Sequence, residues 1–112
     1  MSIGLNVLFR SGEQDYWPYL TQRHLTNFLW PLAGSLGLPR VELMEVLPSY
    51  RDADELGQLI LELKAVQAAM ERPKEGDEYE AIEHVRDRTA ELIERLTEVA
   101  SRSAEVAEVS FF

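Results

Sequence analysis

Residues 1–10, MSIGLNVLFR, decide the fold class: Ile3, Leu5, Val7 and Phe9 alternate with Ser2, Gly4, Asn6 and Arg10, the period of two that marks a half-buried β-strand. Leu8 interrupts the alternation. At the other end, Ala107, Val109 and Phe111 alternate with Glu108 and Ser110, which predicts a second strand of matching character. Two strands alone are marginal in water, so they are expected to pair as a small sheet with one apolar face packed on helices.

Between these strands the period changes to about 3.6. Asp52 followed by Glu55 is a capping-box-like start, and Leu56, Leu59, Leu63, Val66 and Met70 follow at spacings of three and four. Pro73 and Gly76 interrupt the pattern, Asp77 with Glu80 repeats the start signal, and Ile82, Val85, Thr89, Leu92, Leu96 and Val99 form a second stripe. Two amphipathic helices joined by a short turn predict an antiparallel helical hairpin, about 53–71 and 78–101. Upstream, Asp15 reads as the cap of a first helix with Pro18 in its first turn, where a missing N–H costs nothing. Leu20, Leu25, Phe28, Leu29 and Leu32 supply its apolar face, and Trp30-Pro31 is expected to kink or end it. Residues 41–47, VELMEVL, suit either a strand or a helical turn, and the flanking Pro39 and Pro48 tilt the reading to a short strand. The expected architecture is α+β, one domain over residues 1–112.

Composition narrows the function. A chain of 112 residues, 46% hydrophobic, fits one core. With no cysteine there is no disulfide, thiolate metal site or catalytic thiol, and the expected compartment is the cytoplasm. The first ten residues lack the cationic start of a signal peptide, and no apolar run approaches the roughly 20 residues that span a bilayer. Twenty acids against eleven bases give a net charge of −9, so phosphate backbones and anionic lipid should repel the chain. Neither nucleic acid nor membrane is expected as a partner. The acid is concentrated late: residues 73–112 carry eleven acids and five bases.

No residue set reads as catalytic. His24 and His84 have no recognised nucleophile beside them, Ser11, Ser35 and Ser49 lack a G-x-S-x-G context, and Gly34-Ser35-Leu36-Gly37 is too short for a phosphate loop. Asp52, Asp54 and Glu55 are explained by helix capping. Glu80, Glu83, His84 and Asp87 share one side of a helix. A carboxylate-bridged site, however, needs Glu-x-x-His on two helices, and the facing helix offers Glu55 and Glu62 but no histidine. No metal or other cofactor is expected.

Two surfaces remain as candidates for binding a protein. Glu83, Asp87 and Glu91 lie off the apolar stripe of helix 78–101, in a face that only Arg86, Arg88 and Arg95 offset. Tyr16, Trp17 and Tyr19, placed in an exposed first helical turn, are candidate aromatic contacts, while Phe28 and one tryptophan fill the core. A small, cysteine-free, strongly acidic domain resembles in general build the small bacterial immunity proteins that neutralise cationic toxins. That resemblance implies a non-enzymatic inhibitor whose acidic face steers onto a basic protein partner. One alternative is a self-associating homodimer that shares the heptad stripes, since Leu59, Ile60, Leu61 and Leu63 form more than one apolar stripe. Another is a small-ligand or catalytic domain with a pocket between sheet and helices.

Overall fold

In the computed structural model, which describes residues 2–42, 50, 53–70 and 79–111, the alternating N-terminal stretch is strand β1 (Ser2–Phe9). It lies at the centre of a three-stranded antiparallel sheet of order β2-β1-β3, between β2 (Gln14–Thr21) and β3 (Val106–Phe111). Ile3, Leu5 and Val7 are buried on the inner face, as the alternation predicts. Leu5 pairs with Phe111 and Val7 with Val109, so the two terminal strands are neighbours. Beyond β3 the backbones of Tyr50 and Val109 exchange both hydrogen bonds, at 2.7 and 2.8 Å.

The second strand corrects the expected first helix. Residues 14–21, QDYWPYLT, are not a capped helical start but the return arm of a hairpin. Its turn closes with Gly12 at φ 96°, which glycine reaches without strain, and with Phe9 N–H donating to the Glu13 carbonyl at 2.8 Å. β2 is an edge strand, where proline is tolerated because no neighbour asks for its N–H. Pro18 pairs with Gly4 and Leu20 with Ile3, so Tyr19 is the extra residue of a bulge. Helical structure begins only at α1 (Gln22–His24).

The chain then passes through a π-helical turn (Leu25–Leu29) into α2 (Trp30–Ser35). Pro31 does not end the helix here. Its ring would clash with the carbonyl four residues back in regular α geometry, and the preceding turn is widened so that Trp30 N–H donates to the Leu25 carbonyl. Leu25, Leu29 and Ala33 of this segment are buried.

Pro39–Glu42 forms a short helical turn, α3, so the strand expected over 41–47 does not begin at Val41, and its remainder lies outside the described residues. The helical hairpin follows as α4 (Ala53–Ala69) and α5 (Tyr79–Ser101), with a 3-10 turn (Ser103–Glu105) leading into β3. Leu56, Leu59, Leu63, Val66, Val85, Leu92 and Leu96 are all buried, so both stripes contribute to the core of one chain. Glu62 of α4 is also buried, and its carboxylate accepts from the Arg40 backbone N–H at 2.9 Å and pairs with the Arg40 guanidinium at 3.1 Å. That pairing ties α3 to α4.

Candidate protein-binding face

α5 presents its stripe of buried residues to the core and a stripe of carboxylates to solvent. Glu83, Asp87, Glu91, Glu94 and Glu98 are all exposed, at spacings of four, four, three and four. They form one ridge along about 22 Å of helix at 1.5 Å per residue. Like charges four apart on a helix repel by a few tenths of a kcal/mol per pair. Among the described residues, only Glu91 of the five is ion-paired, to Arg88 at 3.2 Å.

The arginines that dilute this face in the sequence are partly drawn away from it. Arg88 donates from Nε to the Tyr19 carbonyl at 3.1 Å and from its other terminus to the Pro18 carbonyl, so it satisfies the backbone of the β2 bulge. Its guanidinium carbon also lies 4.2 Å from the centre of the Trp17 ring, and that of Arg95 lies 4.8 Å from the same ring. Seven residues along one helix are about 10.5 Å, which leaves room for one indole between the two arginines. Arg86 remains exposed.

The three aromatic candidates do not form one patch. Trp17 is half-buried on the inner face of the sheet. Tyr16, paired with Asn6 on the opposite face, is 53% exposed, and its ring lies over Gly4, where a Cβ would come within 2.5 Å of it. Tyr19, expected as an exposed contact, is instead 2% exposed and belongs to the core. Its hydroxyl bonds to Thr89 Oγ1 at 2.6 Å, and Thr89 Oγ1 donates to the Val85 carbonyl at 2.7 Å. Burial pushes the Tyr19 phenol well above its ordinary range.

Next to Trp17 a cavity of about 240 Å³ opens between sheet and helix. Leu5, Val7, Phe9 and Val99 give it an apolar floor, and Asp15, Arg95, Glu98 and Arg102 stand around it. Arg102 lies 5.2 Å over the Phe9 ring and is paired with Glu105 at 2.7 Å. Tyr16 completes the lining, and the two carboxylates offset the two guanidiniums. The apolar floor is of a size and character to seat an apolar or aromatic side chain. Because Glu98 and Arg95 line both this cavity and a shallow acidic notch with Glu91 and Glu94, cavity and ridge are continuous.

Sequence reading missed this continuity. The apolar period marks which residues of α5 face inward but not that a long arginine beside the stripe reaches across to an aromatic of the sheet. Among the described residues no group of three or more histidine, aspartate or glutamate side chains converges as a metal site, and Glu62, one of the carboxylates facing His84 in the sequence reading, is held by Arg40. Among them, too, no helix is long and apolar enough to cross a membrane. No protein-family model matches the chain, and no curated protein or solved structure matches it either.

Proposed function

We propose that this chain is a non-enzymatic interaction domain that binds a basic protein through the carboxylate ridge of α5, with the cavity beside Trp17 receiving a side chain of the partner. The observation that carries the reading is the ridge itself. Five exposed carboxylates follow one another along one side of α5 while Arg88 and Arg95 reach across to Trp17. Such a row is mildly unfavourable in the free protein and becomes favourable against a cationic surface. An inhibitor of the immunity type, laid over the basic site of a toxin, is the finer form of this reading. Self-association through the heptad stripes is less well supported, because those residues are occupied with each other inside one chain.

The test is a pull-down from native lysate at low and high salt, followed by association kinetics with the captured protein. Exposed charges separated by more than about 10 Å are screened at 0.1 M salt, so the association rate should fall steeply as salt rises. Replacing Glu83, Asp87 and Glu91 together with lysine should slow association while the circular dichroism spectrum and melting temperature stay close to wild type. Binding indifferent both to salt and to the triple reversal would overturn the reading.

A further inference from the structure

The chain has two histidines, and the fold brings them together. The rings of His24 and His84 lie 5.2 Å apart, centre to centre, with 50° between their planes. His24 ends α1, the short turn after β2, and His84 stands exposed on α5. A carboxylate-bridged site at His84 lacks its second histidine on the facing helix, but the second imidazole arrives from the far end of the sheet instead.

We propose that His24 and His84 form a two-imidazole site for a borderline divalent transition-metal ion, with zinc as the type. Zinc sits about 2.0–2.1 Å from an imidazole nitrogen and hence about 3.2 Å from the ring centre. An ion held by one nitrogen of each ring would see ring centres 5.2 Å apart at about 109°, the tetrahedral angle that zinc prefers. Thr21 Oγ1 lies 2.8 Å from His24 Nδ1, and accepts the His24 backbone N–H at 3.4 Å. This engages Nδ1 and leaves Nε2 for the metal, the arrangement in which an outer partner orients a ligating imidazole. Glu83 and Asp87, exposed on α5 near His84, make the approach negative for a cation.

Among the described residues no third histidine, aspartate or glutamate joins the pair. The ion would clip α1 to α5. This inference does not depend on a protein partner binding the ridge.

Chelator-stripped protein titrated with zinc chloride alone should take up one ion per chain by calorimetry, and its melting temperature should rise with zinc concentration. Cobalt(II) should give the visible absorption of a tetrahedral site. His84→Ala, at an exposed position, and His24→Ala should each weaken zinc binding by about tenfold or more and abolish the cobalt spectrum. Melting each variant in chelator separates loss of the site from loss of the fold. Glu83→Gln with Asp87→Asn should retain one ion per chain. The proposal is overturned if no saturable one-to-one binding is found, or if His84→Ala binds zinc as wild type does.

Discussion

Tyr19 and Thr89, seventy residues apart in sequence, share a 2.6 Å hydrogen bond inside the core, and Thr89 passes it on to the Val85 carbonyl at 2.7 Å. This bond explains a threonine in an otherwise apolar helical stripe: the bulge of β2 turns a phenol inward, and a buried hydroxyl needs a partner. The two ends of the bond should respond unequally to deletion. Tyr19→Phe removes the phenol and leaves Thr89 bonded to Val85, so it should cost about 1 kcal/mol. Thr89→Val strands the phenol in the core and should cost about 1–3 kcal/mol. Paired chemical denaturation of the two variants measures the difference, and equal losses would contradict the asymmetry.

Alkaline pH should destabilise the domain through its buried phenols. Burial raises the Tyr19 phenol above its ordinary range and pushes that of Tyr50 up to about 12. A folded-state pKa above the unfolded value means that the stabilisation is complete below about pH 10 and is lost as pH rises through the folded values. Unfolding free energy measured from pH 8 to 12 should be flat at first and then decline. A decline that begins below pH 9 would point to other groups.

Leu61 and Leu63, two residues apart on α4, should differ sharply. Leu63 is fully buried and Leu61 is 66% exposed. Leu63→Ala should cost about 2–5 kcal/mol through lost burial and the cavity left behind. Leu61→Ala should stay within about 0.5 kcal/mol, as exposed positions usually do. A large loss at Leu61 under dilute conditions would show that this residue is covered by a second copy, which sedimentation would then detect.

Removing residues 105–112 should unfold the whole domain rather than trim it. β3 covers one side of β1 and supplies Val106, Val109 and Phe111 to the core. Thermal melting of the truncated chain should show no cooperative transition near that of the full chain, and an unchanged melting temperature would refute the expectation.

The terminal strands, their inner faces and both helices of the hairpin are legible in the sequence because each keeps one period over most of its length, Leu8 being the break in β1. β2 is not legible, for a reason that Pro18 and Tyr19 make plain. A proline shortly after an aspartate is a helix-start signal, and the bulge at Tyr19 breaks the alternation that would have announced a strand. The edge position that excuses the proline is a property of the assembled sheet. The same holds at the candidate face. The acidic period of Glu83, Asp87 and Glu91 can be read along one helix, whereas the meeting of Arg88 with Trp17, or of His24 with His84, depends on how distant elements pack.

The position of β1 between β2 and β3 has a mechanical consequence. β1 and β3 run antiparallel with Leu5 opposite Phe111, so residues 2 and 111 leave the sheet at the same end. A force pulling those two residues apart would load the hydrogen bonds between the strands one after another, like a zipper, instead of shearing them together. The domain would yield in tension between these points by peeling from Phe111 toward Val106, uncovering Leu5 first. The same closeness makes residues 2 and 111 a natural place for a short covalent linker, with new ends opened at the exposed turn of residues 10–13.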